Sequence, residues 1–304
     1  MRVFHVGEAY DLGASAVALG NFDGLHLAHR EIIRKCVEYA AKNGLRSGIL
    51  LFENHTGTVT AHTEIKVLTT LPEKLELLQD MGLDFAAVVP FDESFRHMEP
   101  EGFIDFLQGR LAMRAASVGY DYSFGYRAQG DVRLLQKLAA EKRFHVIETP
   151  AVRYEGTIVS STLVRDLIVQ GNVREANALL GRPYKLSGTV DAGLQNGRKM
   201  GLPTANLSFD RQKLLPGDGV YKGRTYICGA GHLSLINVGK NPTFRAKKRT
   251  VESFILDFDE DIYDAGITIA FDEKIRDEIR FENQDQLKKQ IHQDINQVKG
   301  AIEA

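Results

Sequence analysis

The pattern of apolar runs changes once along this chain, near residue 180, and this change constrains the fold more than any other feature. Before it, short apolar runs alternate with stretches of helical period: "SAVALG", "AHREIIRKCVEYAAKNG", "SGILLF", "TLPEKLELLQDMG" and "FAAVVPF". Strands separated by helices of this length are typical of right-handed βαβ crossovers. The first part is therefore predicted to be a doubly wound α/β domain with a parallel sheet, which binds ligands at the carboxyl ends of its strands.

The second part contains strand after strand without intervening helices. Its runs are "YKLSGTV", "TANLSF", "GVYKGRTYIC", "HLSLINV", "TVESFILDF" and "GITIAF". Such a succession predicts an antiparallel barrel or sandwich. Apolar residues at helical intervals near the end predict an amphipathic helix packed on it: Leu287, Ile291, Ile295 and Val298. A length of 304 residues suits two domains, and we place them at 1–182 and 183–304, with the boundary near 182 to 186.

The charge and the cysteine content exclude several classes of protein. The formal net charge is −2, so there is no overall positive field to attract nucleic acid. Cys36 and Cys228 form no CxxC pair, which argues against a disulfide framework or a cysteine-rich zinc site and fits a reducing cytoplasm. Neither a signal peptide nor an apolar run of about 18 residues is visible, so we expect no membrane partner. The oligomeric state stays open.

The segment "LGNFDGLHLAHR" places His26 and His29 three residues apart, behind an Asn-Phe-Asp-Gly turn. We expect the turn to lie at the carboxyl end of a strand, with a helix beginning near Leu27 or Ala28. Three interpretations stay open: a capped helix with two incidental histidines, a zinc site, and a phosphate site. The N–H groups of the helix N-terminus favour phosphate, and imidazoles can donate hydrogen bonds to a transferring phosphoryl or nucleotidyl group.

A second helix start occurs in "VSSTLVRDLIVQG". Ser160, Ser161 and Thr162 can cap this helix, and Arg165 lies about one turn further on. An arginine there can hold a phosphate near the helix N-terminus with two parallel hydrogen bonds. By itself the pattern also fits an ordinary capped amphipathic helix.

The segment "GLQNGRKMGLPTANLSF" combines a glycine-rich basic loop with the start of a strand. The loop residues that can close over phosphates are Gly193, Gly197, Arg198 and Gly201. Thr204 and Asn206 are two residues apart and share one face of the strand. Their oxygens are hard ligands that suit Mg²⁺ and its bound phosphates. The alternative for the loop is an ordinary turn.

In "TVESFILDF", Glu252 shares a strand face with Phe254, Leu256 and Phe258. If this aromatic face points inward, the carboxylate lies at the rim of an apolar cavity that a flat ring system could enter. Desolvation there would raise its pKa toward the range of a useful general base. The alternative is a solvated glutamate at the start of a strand.

These motifs together resemble the bacterial bifunctional FAD synthetase family. "GNFDGLHLAHR" is similar to its GxFDGxHxGH motif, and "GYDYSFG", "QGDVRLL", "VSSTLVRDLIVQGNVREANALLGRPY", PTAN, "INVGKNPTF" and "TVESFILDF" follow in order. The resemblance implies a nucleotidyltransferase domain that transfers AMP from ATP to FMN. It also implies a six-stranded riboflavin kinase barrel that uses Mg²⁺-ATP. Riboflavin, FMN and ATP are then the small-molecule partners.

The resemblance also implies roles for individual residues. His26, His29 and Arg165 would act in adenylyl transfer, and Glu252 would take the proton from the ribityl 5′-hydroxyl. Residues expected around ATP and its phosphates are Gly20, Asn21, Phe22, Asp23, Gly24, His55, Ser160, Ser161, Thr162, Gly193, Gly197, Arg198, Gly201 and Thr204. Residues expected to bind flavin are Asp121, Phe124, Asn206 and Phe254, and Thr204 and Asn206 would hold Mg²⁺.

Two segments depart from the family pattern. Ala28 replaces the second glycine of the histidine motif, which adds a methyl group near the triphosphate. "LFENHT" stands where the family commonly has a segment like TFDPHP, and only Phe52 and His55 match. These departures motivate an alternative function, a riboflavin kinase with a weakened or inactive adenylyltransferase domain.

Overall fold

A computed structural model describes residues 1–6, 13–53, 66–191, 203–240 and 249–300 of the protein. The chain divides into two compact units, Met1–Ser161 and Thr162–Ala304. The domain boundary near 182 to 186 stays a prediction. Among the described helices, none is long and apolar enough to cross a membrane.

The first unit is built on a six-stranded sheet in which neighbouring strands are parallel, in the order β1-β4-β3-β2-β5-β6. The strands are β1 Arg2–His5, β2 Ser15–Ala18, β3 Arg46–Phe52, β4 Phe85–Val89, β5 Met113–Gly119 and β6 His145–Thr149. The predicted parallel α/β fold is confirmed. The sequence did not predict β1, because Phe4 is its only buried residue and no apolar run marks the strand.

Helices cover both faces of this sheet. They are α1 Leu27–Asn43, α2 Leu71–Leu78, α3 Glu93–Arg96, α4 Pro100–Leu111 and α5 Val132–Lys142. Ile33 and Cys36 of α1 pack in one apolar core, while Ile104 and Leu107 of α4 pack in the other. A short hairpin follows, with strands β7 Arg153–Tyr154 and β8 Thr157–Ile158. The arrangement leaves the carboxyl ends of β2, β3, β4 and β5 along one edge of the sheet.

The second unit is a closed six-stranded antiparallel barrel in the order β10-β13-β12-β11-β14-β9. Its strands are β9 Tyr184–Asp191, β10 Ala205–Phe209, β11 Gly219–Ile227, β12 Ala230–Lys240, β13 Arg249–Ile255 and β14 Gly266–Arg276. Two helices precede it, α6 Ser161–Gln170 and α7 Val173–Leu180. The Asn177 side chain joins α7 to the barrel, because it donates to the Phe271 carbonyl at 2.8 Å and accepts from the Tyr184 amide at 2.7 Å. The predicted barrel is confirmed.

The last helix, α8 Gln284–Gly300, packs on the outside of the barrel. Ile291, Ile295 and Val298 contact the apolar cluster that includes Phe254 and Leu256. A buried ion pair adds to this contact: Arg276 of β14 donates to both oxygens of Asp294, which is only 2% exposed, at 2.7 to 3.1 Å. The predicted amphipathic helix is therefore confirmed.

Candidate active sites

The turn between β2 and α1 has an unusual backbone. Phe22 and Leu25 have φ angles of 47° and 42°, and Gly24 has a φ of 84°. Non-glycine residues in this left-handed region are strained by on the order of 1–3 kcal/mol each, so surrounding contacts must enforce the conformation. Phe22 and Leu25 are fully buried in the core beneath the turn. Backbone strain of this kind is frequent at functional sites.

Asp23 fixes this turn through hydrogen bonds to its side-chain carboxylate and to its backbone carbonyl. Its buried carboxylate accepts from the backbone N–H groups of Leu68 and Thr69 at 3.0 to 3.1 Å. Its backbone carbonyl accepts from the Ser161 hydroxyl at 2.9 Å. The Thr69 hydroxyl in turn accepts from the Gly24 N–H at 2.9 Å. The structure thus gives Asp23 a role in holding the turn, and likewise gives Phe22, edge-on to His29 with ring centroids 5.2 Å apart, a packing role.

Lys74 is a residue of this site that the sequence analysis did not identify. It is only 8% exposed, and its ammonium group donates to the backbone carbonyl of Asn21 at 3.0 Å. One signal was available in the sequence: Lys74 lies four residues before the buried Leu78, so it shares the inward face of α2. A positive charge therefore lies beside the turn that carries the histidines.

His26 is the N-cap of α1, and its Nδ1 accepts from the backbone N–H of His29 at 3.4 Å. This bond uses Nδ1 as the acceptor, so neutral His26 carries its proton on Nε2. The rings of His26 and His29 stack with centroids 3.7 Å apart and an interplanar angle of 16°. The capped-helix and phosphate interpretations are therefore compatible, because the stacked pair lies at the N-terminus of α1.

The environment of His29 favours its neutral form. Burial, the neighbouring His26 and the charge of Lys74 together hold the pKa of His29 well below its usual value of 6.5. Its Nδ1 is buried and has no hydrogen-bond partner among the described residues.

In the described part of the chain, no three His, Cys, Asp or Glu side chains come together as a metal site, so the zinc interpretation has no support there. A neutral imidazole next to a buried cation and a helix N-terminus can receive an anion.

The remaining predicted phosphate residues lie in different parts of the chain. Gly20 and Asn21 belong to the turn, and Ser161 begins α6 with its hydroxyl on the Asp23 carbonyl. Thr162 and Arg165 continue α6 in the second compact unit. Ser160 lies directly before α6 and is half-buried. His55, Gly193, Gly197, Arg198 and Gly201 lie outside the described residues.

A cluster of aromatic side chains lies at the same edge of the parallel sheet as the histidine turn. Phe52 ends β3, Phe91 follows β4, and Tyr122 and Phe124 follow β5. Ring centroids lie 5.2 Å apart for Phe52 and Phe91, and 5.7 Å apart for the stacked Tyr122 and Phe124. Because β2 lies between β3 and β5 in the sheet, the turn after β2 is flanked by aromatic residues on both sides.

The two predicted flavin residues of this unit have different environments. Phe124 is only 6% exposed and packs on Phe103 with ring centroids 5.8 Å apart, whereas Asp121 is exposed. Phe124 also requires a glycine opposite it: a Cβ on Gly130 would approach its ring to 2.7 Å. The segment "QGDVRLL" therefore supplies the glycine that lets the Phe124 loop close. Burial pushes the pKa of the neighbouring Tyr122 hydroxyl upward, so it stays protonated.

In the second unit, β10 and β13 bring Thr204, Asn206 and Glu252 together. Asn206 lies directly opposite Glu252 in the antiparallel register. The Thr204 hydroxyl donates to the Glu252 carboxylate. Burial raises the pKa of Glu252 above its usual value of 4.5, and the Thr204 hydrogen bond only partly opposes that shift. A carboxylate with a raised pKa beside hard oxygen donors suits proton transfer next to a phosphate.

Glu252 lies on the outer face of the barrel wall, whereas the predicted cavity required its strand face to point inward. Val251, Ser253 and Ile255 are the buried residues of β13 and fill the barrel, so the face with Glu252 and Phe254 is the outer one. The aromatic face does not point inward. The apolar surroundings come instead from α8, whose residues pack against Phe254 and Leu256. Phe258 lies beyond the end of β13, where Asp257 with a φ of 54° interrupts the alternation, and contacts His232.

Comparison with known proteins supports two functional halves. The family described as FAD synthetase matches residues 9–163, and the family described as riboflavin kinase matches residues 180–302. A bifunctional riboflavin kinase/FMN adenylyltransferase of Listeria monocytogenes is 34% identical, covering 91% of this chain and 89% of the relative. One from Escherichia coli strain K12 is 36% identical, covering 91% and 90%. A crystal structure described as a macrolide-efflux protein from Streptococcus pneumoniae is 29% identical with a TM-score of 0.88, covering 98% of this chain and 99% of that chain.

Proposed function

The chain belongs to the bifunctional riboflavin kinase/FMN adenylyltransferase family, and we propose that it phosphorylates riboflavin to FMN and adenylylates FMN to FAD. The barrel carries the kinase step and the parallel-sheet unit carries adenylyl transfer. The observation that supports this division most strongly is that two different families match separate parts of the chain, residues 9–163 and residues 180–302. Each site uses its own side chains, so the two activities are separable by mutation.

In adenylyl transfer, a phosphate oxygen of FMN attacks the α-phosphorus of ATP, and pyrophosphate leaves. His26 donates its Nε2–H to an α-phosphate oxygen, since it lies at the N-terminus of α1 after the carboxyl end of β2. His29 is held neutral and adds a second imidazole at the same place. Ser160 is proposed to hold the phosphates further along, and the flat flavin ring suits the aromatic residues that flank the turn.

In the kinase step, the ribityl 5′-hydroxyl attacks the γ-phosphorus of ATP, and ADP leaves. The Glu252 carboxylate takes the hydroxyl proton, and its raised pKa improves it as a base. Thr204 and Asn206 fit Mg²⁺ because both offer hard oxygens on the same strand face, and the ion when bound neutralises phosphate charge. Phe254 lies two residues from Glu252 on the same outer face and is proposed to contact the flavin ring.

We propose the cytoplasm as the location. Small-molecule substrates are the proposed partners.

Product analysis by chromatography tests this function. Riboflavin with Mg²⁺-ATP should yield FMN and FAD, and supplied FMN with Mg²⁺-ATP should yield FAD and pyrophosphate. The second candidate, a kinase with a weak adenylyltransferase unit, is motivated by Ala28 in the first turn of α1 and by Glu53, which pairs with His5 at 3.0 Å. That candidate predicts FMN as the main product, with little or no FAD. Absence of both products would reject the two candidates together.

A further inference from the structure

Four polar residues lie side by side across four consecutive strands of the barrel. The register pairs Asp191 with Asn206, Asn206 with Glu252, and Glu252 with Asn237. Residues directly opposite each other in antiparallel strands point to the same face, with Cβ atoms about 4.5–5.5 Å apart. Glu252 therefore has an asparagine on each side, Asn206 on β10 and Asn237 on β12.

The two sides of Glu252 differ in character. On the β10 side are Thr204 and Asn206, which the proposed function assigns to the nucleotide. On the β12 side, Asn237 is half-buried, and two residues earlier on the same face Leu235 packs in the apolar cluster with Phe254. Asn237 thus lies between the carboxylate and an apolar surface.

The side-chain amide of Asn237 takes part in no hydrogen bond with the described part of the chain. Polar groups that serve only the barrel's fold behave differently. Thr225, Ser234 and Ser253 in the barrel interior are fully buried and bond one another at 2.7 and 2.9 Å. A half-buried amide without such a bond, directly beside a base, has donors and an acceptor available to a ligand.

We propose that Asn237 binds the hydroxylated chain of the phosphoryl acceptor and delivers its terminal hydroxyl to Glu252. This inference rests on the proposed kinase function and adds a residue that contacts the acceptor. A polyol chain suits an amide, because each hydroxyl both donates and accepts. The acceptor must approach Glu252 from the side that the nucleotide does not occupy, which is the β12 side. The neighbouring half-buried Phe254 then offers apolar contact to the flat ring.

Steady-state kinetics of FMN formation by the full-length protein test the proposal with Asn237→Ala. Loss of one neutral hydrogen bond to substrate should raise the KM for riboflavin by about 3- to 10-fold. The KM for ATP should stay unchanged, because the nucleotide side of the site is intact. The fall of kinase activity at low pH, which is the acid limb of its pH profile, should stay at the same pH because Glu252 is intact. Asn296→Ala is the matched control, since Asn296 is exposed on α8, and it should leave all three quantities unchanged.

Inhibition by lumiflavin separates the ring from the chain, because this analogue has a methyl group in place of the ribityl chain. Its inhibition of FMN formation should be the same in the wild type and in Asn237→Ala. An unchanged KM for riboflavin would overturn the proposal, as would equal weakening of riboflavin and lumiflavin or a shifted acid limb at constant KM. Failure of the proposed function itself is a different result: the wild type would then form no FMN from riboflavin.

Discussion

The His26 and His29 rings stack with their centroids 3.7 Å apart, and the same two residues are joined by the hydrogen bond that caps α1. Two imidazolium ions at this distance would repel each other strongly, and the nearby Lys74 adds to that repulsion. His29 is therefore held in its uncharged state. Uncharged imidazoles can donate hydrogen bonds to a phosphate without the cost of removing a charged group from water.

Replacement of His26 separates its two roles. Asparagine is a good N-cap residue, so His26→Asn keeps α1 capped but removes the imidazole, whereas His26→Ala removes both. Both variants should slow FAD formation from FMN by on the order of 10² to 10³, the usual effect of losing one transition-state donor. Only His26→Ala should also lower the free energy of unfolding, by about 0.5–2 kcal/mol as measured by urea titration. Wild-type FAD formation by His26→Asn would contradict the proposed role.

The buried state of His29 makes the stability of the protein depend on pH. Its folded pKa lies below the value of 6.5 that applies to the unfolded chain, so the unfolded state binds a proton first as the pH falls. The stability that the protein has with His29 neutral is therefore fully present above pH 6.5, and it is lost progressively as the pH falls below that value. The free energy of unfolding should therefore fall less between pH 7.5 and pH 5.5 in His29→Gln than in the wild type. Equal losses in both proteins would show that His29 titrates normally.

Asp23→Ala should damage the first unit and spare the second. The change leaves the buried N–H groups of Leu68 and Thr69 without their acceptor, at a cost of about 1–3 kcal/mol for each orphaned donor. Calorimetry should show a lower unfolding temperature, together with reduced FAD formation and preserved riboflavin phosphorylation. Asp80→Ala, at an exposed site, is the control. A variant with normal stability and normal FAD formation would contradict the structural role of Asp23.

As the pH is lowered, kinase activity should begin to fall at a higher pH than it would if the base were a carboxylate with an ordinary pKa. The base must be ionised to accept a proton, and burial raises the pKa of Glu252 above 4.5. Thr204→Val removes a hydrogen bond that favours the ionised form, so the acid limb of kcat should move to still higher pH. An acid limb at the usual position in the wild type, unmoved in Thr204→Val, would exclude Glu252 as the titrating group.

The sequence predicted the parts of the fold that depend on periodicity. The apolar runs of β2, β3 and β4 and the helical spacing of α1 mark elements that bury a face, and these lie where expected. Periodicity does not state which face of a barrel strand is inside, so the orientation of Glu252 needed the structure. The buried Ser253 shows why: a polar residue fills the interior because Thr225 and Ser234 satisfy its hydroxyl.

Contacts between distant segments were also beyond the sequence. Asp23 lies in a motif that the sequence predicts to bind phosphate. Only the structure shows that its carboxylate accepts hydrogen bonds from the backbone of Leu68 and Thr69, 45 and 46 residues away. Lys74 and Asn237 were missed for the same reason. Each lies in a regular element, and only tertiary packing or strand register shows which residue lies beside it.

The most direct test of two independent sites is the product pattern of Glu252→Gln, given riboflavin in one assay and FMN in another, each with Mg²⁺-ATP. Glutamine keeps the size of the side chain and removes its basicity, so FMN formation from riboflavin should fall by roughly 10² to 10⁴. FAD formation from supplied FMN should proceed at the wild-type rate. Near-normal phosphorylation of riboflavin, or loss of both reactions in a folded protein, would contradict the account.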